Sequence, residues 1–188
     1  MIVFDSDDFG ANHVISDMCQ SHDCRDVLDK LHIANPAFKA TLFAIPGEMT
    51  QELLDWCRDN NSWIELGVHG FYHTSNYECE KITRSDFNHL MLKFDNMIEN
   101  YFVKLFKAPG WQISDDAFEW LDDHGWMVAD QAYNDNRRPE ELPVYIVNDN
   151  SIHTHTWNCV GNGVYELFDE LLNKVNNETE FRFVSEVI

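Results

Sequence analysis

The chain opens with the stretch MIVFDSDDFG, residues 1–10, in which a short apolar run leads directly into three carboxylates. The apolar run is typical of a β-strand, so Asp5, Asp7 and Asp8 are expected where that strand ends. Carboxylates held this close repel one another, and each loses hydration if the strand is buried. The sequence therefore raises the question of what offsets this cost.

An apolar run followed by a helical stretch is repeated along the chain. Strands are predicted over residues 39–45, 63–68, 103–108, 126–130, 142–147, 151–157 and 181–188, and helices over residues 15–33, 49–61, 84–102, 114–125 and 164–177. Regular alternation of strands and helices predicts an α/β fold with a parallel sheet or barrel. At 188 residues, the chain is expected to form a single domain spanning residues 1–188.

The charge of the chain excludes one class of partner. The sequence has 33 acidic and 13 basic residues, which gives a formal net charge of −20. Proteins that bind nucleic acid need a basic surface to neutralise phosphates, so we expect no nucleic-acid partner and no anionic membrane surface. A neutral or cationic ligand, or a bound metal ion, suits this charge better.

The cysteines and the apolar segments indicate the compartment. The five cysteines form no CxxC pair, which argues against both a disulfide scaffold and a cysteine-based zinc site. The sequence shows no basic segment followed by an apolar stretch, and no run of about 18 apolar residues. We therefore expect a cytoplasmic protein without a membrane-spanning segment.

Residues able to do chemistry follow the predicted strands. After the three carboxylates of the first strand come His69 and His73, then Lys107, Gly110 and Trp111, then Asp130, and finally His153 and His155. In a (β/α) barrel the carboxyl ends of all strands face one mouth, where active sites are built. These residues are therefore expected to converge on one pocket.

His69 and His73 are the sharpest local feature. Because they are four residues apart, their imidazoles share one face if the chain turns helically after the strand. Two neutral histidines and one carboxylate are a common catalytic zinc-binding set, which leaves a coordination position for water. Alternatively, the histidines are surface or capping residues, and Asp7 and Asp8 form a turn or helix cap before Gly10.

Adjacent carboxylates can divide the chemistry between them. Asp7 and Asp8 point in different directions, so one can bind a metal ion while the other acts as a general base. His153 and His155 are two residues apart and share one face of a strand. One of them can be the general acid, or both can be packed and hydrogen-bonded to the backbone. Asp5 is left without a role.

Five segments of the chain resemble the motifs of a known family. DSDDFG is similar to its Asp-Asp motif, ELGVHGFYH to E-[IL]-G-x-H-x-x-x-H, FKAPGW to R-x-P-G, WMVAD to its Asp-Trp motif and IHTH to its leucine-histidine motif. Together they resemble the polysaccharide deacetylases of carbohydrate esterase family four, the NodB-homology domain, over about residues 1–160. The first motif is also similar to that of the YdjC-like oligosaccharide deacetylases.

The resemblance implies a fold, a metal and a reaction. The fold would be a distorted (β/α) barrel of the NodB-homology type. Asp8, His69 and His73 would bind a divalent metal ion, usually zinc in that family, and Asp7 would be the catalytic base. The reaction would be hydrolysis of a carbon–nitrogen bond, with removal of an N-acetyl group from an amino sugar, an oligosaccharide or a polysaccharide.

The resemblance also assigns supporting residues. A backbone N–H near Gly110 would join the metal in stabilising the oxyanion. Asp130 would orient a histidine, and His155 or His153 would be the acid that protonates the departing amine. The partner of the protein would be a carbohydrate or another acetylated small molecule.

Lys107 departs from the family pattern, in which an arginine pairs with the catalytic aspartate. Lysine supplies the charge but not the two-pronged hydrogen bond of a guanidinium. Tyr72 and Trp111 are candidates for contact with a substrate, although Trp111 can equally be a core residue. Two other functions are open, a metal-dependent amidohydrolase acting on a non-sugar or cyclic amide, and a non-catalytic module that binds glycan or metal.

Overall fold

The computed structural model describes residues 2–16, 22–75, 78–130, 144–146, 151–155 and 168–187, with the side chains of 13–16, 22, 130, 144–146, 170 and 171 outside the description. The strands are β1 (Ile2–Phe9), β2 (Ile15–Ser16), β3 (His22–Asp23), β4 (Ala40–Ala44), β5 (Ile64–His69), β6 (Leu105–Lys107), β7 (Met127–Asp130), β8 (Val144–Ile146), β9 (Ser151–Thr154) and β10 (Phe181–Arg182). The helices are α1 (Ala11–Val14), α2 (Cys24–Ala34), α3 (Gln51–Asp59), α4 (Arg84–Tyr101), α5 (Asp115–Asp123) and α6 (Phe168–Asn177).

Eight of these strands form one parallel sheet in the order β10-β1-β4-β5-β6-β7-β8, with β9 also paired to β1. Strands β2 and β3 form a separate antiparallel pair. The predicted distorted (β/α) barrel is confirmed. Because all strands of the main sheet run in one direction, their carboxyl ends meet at one mouth.

The longer helices begin where a hydroxyl or carboxylate caps them. Thr50 Oγ1 accepts the N–H of Leu53 at 3.3 Å at the start of α3, and Ser114 Oγ accepts the N–H of Ala117 at 3.1 Å at the start of α5. These bonds satisfy amides that the first turn of a helix leaves without a partner. The helices predicted over residues 49–61, 84–102 and 114–125 are confirmed to within a few residues.

The hydrophobic core consists of one cluster inside the barrel and two clusters between the sheet and the helices, because successive side chains of a strand point to opposite faces of the sheet. Val3, Phe43, Leu105 and Ala129 pack together inside the barrel, while their strand neighbours pack outward against the helices. Because side chains alternate along a strand, the inward face of β1 continues from Val3 to Asp5 and then Asp7. The period of the strand thus directs two carboxylates into the barrel.

The segment before α2 corrects a prediction. A helix was expected over residues 15–33, but residues 15–16 and 22–23 pair as strands and the helix begins at Cys24. Asp23 caps this helix, because its carboxylate accepts the N–H of Arg25 at 2.9 Å and also pairs with the guanidinium of that residue. A local side-chain interaction therefore overrides the apolar spacing upstream.

The last predicted strand is also shorter than expected. Of residues 181–188, only β10 is a strand, and a 3₁₀ turn over Val184–Glu186 follows it. The turn forms because Glu186 accepts the N–H of Phe183 at 2.8 Å and the N–H of Val184 donates to Thr41 Oγ1 at 3.0 Å.

Within the described residues, every helix is too short or too polar to cross a lipid bilayer.

Candidate active site

An irregularity at the end of β1 brings two adjacent carboxylates to the mouth. The pairing of β1 with β4 shifts register between Ser6 and Phe9, and Asp8 has a φ of 62°. In a regular strand Asp7 and Asp8 would point to opposite faces of the sheet. The left-handed backbone at Asp8 turns its side chain back, so that both carboxylates face the same pocket.

Three side chains, Asp8, His69 and His73, form what we call the ligand cluster. Oδ1 of Asp8 lies 3.2 Å from Nε2 of His69 and 3.1 Å from Nε2 of His73. Two ligands of a tetrahedral zinc ion, each about 2.1 Å from it, are about 3.4 Å apart, and those of an octahedral ion are closer. One oxygen and two imidazole nitrogens at these distances are a donor set that fits a divalent metal ion.

The ligand cluster is held in place by backbone hydrogen bonds. Nδ1 of His69 lies 2.9 Å from the carbonyl oxygen of Lys107, which places the ring proton there and leaves Nε2 as the ligand atom. The carboxylate of Glu78 accepts the backbone N–H groups of Phe71, Tyr72 and His73 at 3.0–3.1 Å. Glu78 therefore fixes the loop that carries the second histidine. Nothing in the sequence around Glu78 indicates this role.

Four other side chains form what we call the lysine cluster: Asp5, Asp7, Lys107 and His153. Nζ of Lys107 lies 2.8 Å from Oδ2 of Asp5 and 2.9 Å from Oδ1 of Asp7. Lys107, Asp5 and Asp7 are all buried, with exposures of 1%, 0% and 2%. Beneath them, the ammonium lies 4.8 Å from the ring centre of Phe43. The protein thus supplies its own cation to two of the three carboxylates.

The pKa values in the lysine cluster follow this pairing. Burial acts most strongly and raises the pKa of Asp5 and of Asp7, but the positive charge of Lys107, the neighbouring histidines and the side-chain hydrogen bonds together outweigh it, so both pKa values are lowered. Burial acts to lower the pKa of Lys107, and the two carboxylates raise it instead. The three groups are therefore charged at neutral pH.

The ligand cluster is balanced differently. Burial acts to raise the pKa of Asp8, and a hydrogen bond and the charge of His69 lower it. Burial acts to lower the pKa of His69, and the negative charges of Asp7 and Asp8 raise it. The ion-pair partners of Asp8 among the described residues are all histidines. Its negative charge is thus matched only by groups that can also bind a metal.

Trp111 closes one side of the lysine cluster. Its indole Nε1–H donates to Oδ2 of Asp7 at 3.1 Å, and its ring lies edge-on to His153 at 5.7 Å. The backbone reaches this position through a 3₁₀ turn in which Gly110 has a φ of 59° and Trp111 a φ of 56°. The backbone N–H of Trp111 is used within the turn, since it donates to the carbonyl of Ala108 at 2.8 Å.

His153 on β9 and His155 directly after β9 lie on either side of the carboxylate pair. His153 contacts Asp5 through Nδ1 at 2.9 Å, and its Nε2 lies 3.9 Å from Oδ2 of Asp7. Nε2 of His155 lies 3.8 Å from Oδ2 of Asp8, beside the ligand cluster. Burial lowers the pKa of His155.

Backbone strain is concentrated in this site. The described non-glycine residues with positive φ are Asp8, His73 at 49° and Trp111, and all three lie here. A left-handed conformation costs a non-glycine residue roughly 1–2 kcal/mol and persists only where the surrounding structure enforces it. Such residues are typical of sites that hold side chains for chemistry.

The predicted site residues converge, with two differences. Tyr72 contacts α4 instead of the carboxylates, because its hydroxyl lies against Lys93 and its ring packs on Phe94 at 5.6 Å. Asp130 ends β7 as expected, but its side chain lies outside the described residues. Its predicted role in orienting a histidine stays a prediction. Among the described side chains, the carboxylate that contacts His153 at 2.9 Å is that of Asp5.

Comparison with known proteins gives a likeness of fold and no likeness of sequence. No protein-family profile matches the chain, and no curated protein matches its sequence. The chain is similar to a family 4 acetyl xylan esterase from Clostridium thermocellum in complex with a cobalt ion, with a TM-score of 0.64 and 16% identity, covering 100% of this chain and 90% of that one.

Two further solved structures are similar. One is the chitin deacetylase of the fungal pathogen Colletotrichum lindemuthianum, with a TM-score of 0.61 and 13% identity, covering 99% of this chain and 86% of that one. The other is a carbohydrate esterase family four pseudoenzyme from Bacillus anthracis, with a TM-score of 0.62 and 17% identity. The match covers 98% of this chain, which spans 64% of the length of the pseudoenzyme. The chain therefore has the fold of the polysaccharide deacetylases of carbohydrate esterase family four.

Proposed function

We propose that this chain is a metal-dependent hydrolase that removes an N-acetyl group from an amino sugar or a short saccharide. One observation carries the proposal. Oδ1 of Asp8 and the Nε2 atoms of His69 and His73 converge within 3.1–3.2 Å, directly beside the buried carboxylate of Asp7. Asp7 forms no ion pair with His69 or His73, so its carboxylate is left to act beside the ligand set. This arrangement suits metal-assisted hydrolysis.

Asp8, His69 and His73 would hold the metal ion, with zinc or another divalent ion as the candidate. A divalent ion bound there would supply a lower pKa for an adjacent water molecule and polarise the acyl carbonyl. The ligand cluster is supported as such sites usually are, since the second ring nitrogen of His69 is tied to a backbone carbonyl.

Asp7 would accept the proton of the attacking water. Burial acts to raise its pKa, but Lys107, His69 and His153 together lower it, so it is a carboxylate at neutral pH. Trp111 and Lys107 hold its two oxygens from different sides, at 3.1 Å and 2.9 Å. This fixes the base in one orientation, which is the requirement for proton transfer at a defined atom.

Lys107 would take the part that an arginine takes in the family, with a different geometry. An ammonium cannot form a two-pronged bond to one carboxylate. Here it bridges two carboxylates, Asp5 and Asp7, at 2.8 Å and 2.9 Å. Asp5 is thus the second carboxylate bound by the lysine that stands where the family motif has an arginine. The N–H of Gly110 is the candidate donor to the oxyanion.

The test is acetate release by the purified chain loaded with zinc or cobalt. Substrates are N-acetylated chito-oligomers, acetylated xylan and a small cyclic imide. We expect acetate from the chito-oligomers, about 10²–10⁴-fold slower turnover for Asp7→Asn with metal still bound, and loss of metal for His69→Ala. Full activity of Asp7→Asn would remove the assignment of the base.

Two outcomes favour other functions. Hydrolysis of the imide without acetate release indicates an amidohydrolase for non-sugar amides. Bound metal without hydrolysis of any substrate indicates a non-catalytic module, a possibility kept open because one protein of similar fold is a pseudoenzyme.

A further inference from the structure

Asp5 is the carboxylate for which the motifs provide no role. It is fully buried, and one of its oxygens, Oδ2, receives two contacts: Nζ of Lys107 at 2.8 Å and Nδ1 of His153 at 2.9 Å. A buried carboxylate needs such partners to remain charged. Lys107 meets part of that need and is shared with Asp7, and His153 supplies a further part. The contact also fixes the histidine ring, and that is its second consequence.

Strand pairing places Asp5 and His153 side by side. In the parallel pair of β1 and β9, Asp5 and His153 are direct Cα partners. Paired residues of adjacent strands point to the same face of the sheet, here the inside of the barrel. The contact is therefore fixed by the register of two backbone strands and does not depend on a flexible loop.

Because an ionised carboxylate can only accept, Nδ1 of His153 must donate its proton to Asp5. This leaves Nε2 on the side of the proposed base, 3.9 Å from Oδ2 of Asp7. Nε2 of His153 is buried and has no hydrogen-bond partner among the described residues. His153 is thus oriented with one nitrogen committed and the other available, which is how a proton donor is held in place.

We propose that Asp5 is the positioning residue for His153, and that His153, not His155, gives the proton to the departing amine. This rests on the proposed hydrolysis. Water forms a bond to the acyl carbon and gives its proton to Asp7, while the carbon–nitrogen bond breaks and the nitrogen takes the proton of Nε2. His153 begins this step with a proton on each ring nitrogen, and the Nδ1 proton stays on the ring, hydrogen-bonded to the carboxylate of Asp5. Asp7 then returns its proton to Nε2, completing the cycle.

Lys107 makes this arrangement a single unit. Its ammonium contacts Asp5 and Asp7 together, so one cation fixes both the base and the residue behind the acid. His155 contacts Asp8 instead, at 3.8 Å. This places His155 on the side of the ligand cluster and away from Asp5.

The test compares two leaving groups. An N-acetyl sugar needs its nitrogen protonated, whereas the aryl oxide of 4-nitrophenyl acetate leaves without a proton. We expect Asp5→Asn and His153→Gln each to lower kcat on the N-acetyl sugar about 10²-fold or more, with KM and the aryl ester rate changed less than about threefold. The double variant is expected to be no slower than the slower single variant.

The matched control is Glu65→Gln, which also replaces a buried carboxylate inside the barrel but lies outside the active site. It should change neither rate. The proposal is overturned if Asp5→Asn slows both substrates equally, if its effect adds to that of His153→Gln, or if His155→Gln shows the leaving-group selectivity instead. Asp5→Asn leaves Lys107 paired with Asp7. If this variant nevertheless fails to fold, Asp5→Glu carries the same comparison.

A second measurement separates this proposal from the proposed function. If the wild-type chain hydrolyses neither substrate, the hydrolase assignment fails, and ¹⁵N NMR of the histidine rings decides the role of Asp5. A proton on Nδ1 of His153 that moves or exchanges faster in Asp5→Asn supports positioning by Asp5. A ring signal that is the same in both proteins overturns it.

Discussion

The lysine cluster and the ligand cluster lie side by side and balance buried negative charge in different ways. In the lysine cluster, two carboxylates share the ammonium of Lys107 at 2.8 and 2.9 Å. In the ligand cluster, Asp8 meets two imidazole nitrogens at 3.1 and 3.2 Å. The first cluster carries its own cation, and the second presents a carboxylate and two imidazole nitrogens that can bind a cation from solution.

The same contrast argues against metal binding at a second group of possible ligands. Asp7, His153 and His155 also offer three donor atoms near one another. However, Nζ of Lys107 lies 2.9 Å from Asp7 and 3.5 Å from Nδ1 of His153. A metal ion there would be repelled by a fixed positive charge, so we expect one bound ion per chain.

The largest expected effect breaks the lysine cluster. Lys107→Met leaves two buried carboxylates without their cation, and we expect it to lower the free energy of unfolding by about 3–5 kcal/mol. Urea denaturation measures this with and without metal, and the loss should be similar in both because the cluster does not use the ion. Lys104→Met, on the exposed surface, is the control and should change stability by less than about 0.5 kcal/mol. A cost below about 1 kcal/mol for Lys107→Met would contradict the pairing.

The next effect breaks the ligand cluster. Zinc at 100 times its dissociation constant should stabilise the wild-type chain by about 2.7 kcal/mol, and Asp8→Asn should lose this gain. In the presence of a chelator, the same variant should be about as stable as the wild type, since no described lysine or arginine pairs with Asp8. Thermal melts with zinc and with chelator test both statements. A zinc-induced shift of equal size in Asp8→Asn would show that the metal binds elsewhere.

A smaller effect sharpens the comparison at the loop that carries His73. Glu78→Gln replaces a carboxylate that accepts three backbone N–H groups, and an amide offers only one accepting oxygen. We expect metal affinity to fall about 10–100-fold, as is usual when support of a ligand is lost. Competition with a chromophoric chelator measures the affinity. Glu99→Gln on α4 is the matched control, and an equal loss in that variant would remove the role of Glu78.

The smallest effect concerns a fourth buried carboxylate, Glu65, which lies outside the ligand cluster and pairs with no lysine in the described part of the chain. Thr41 donates to it at 3.0 Å, and Ser185 is its other partner. Burial raises the pKa of Glu65 despite these bonds. The folded chain therefore binds this proton more tightly than the unfolded chain, and stability falls as pH rises from about 4.5 through the raised pKa.

Glu65→Gln removes this dependence. In chelator, its melting temperature relative to the wild type should rise across that pH window and then level off, by about 2–4 °C for each kcal/mol. If the difference in melting temperature between the two proteins is constant with pH, ionisation of Glu65 does not lower the stability of the folded chain. The contrast between Glu65, whose described partners are hydroxyl groups, and the lysine and ligand clusters would then not hold.

Much of the fold could be predicted because the signals were local. The apolar runs of β4 and β5 and the hydroxyl caps of α3 and α5 are all within a few residues of the elements they define. The two differences came from single side chains: Asp23 starts α2 late, and Glu186 turns the chain after β10. Neither of these side-chain interactions can be recognised from the spacing of apolar residues.

The sequence by itself determined which residues reach the mouth of the barrel. The apolar runs placed Asp8, His69 and His73 at or just after the carboxyl ends of their strands, and the carboxyl ends of parallel strands share one edge of the sheet. Only the tertiary structure decided how the carboxylates divide their roles. The division depends on a φ of 62° at Asp8, on the pairing of Asp5 with His153 across two strands, and on the buried reach of Lys107. Contacts between residues about 100 to 150 positions apart leave no periodic trace in the chain, so they appear only once it is folded.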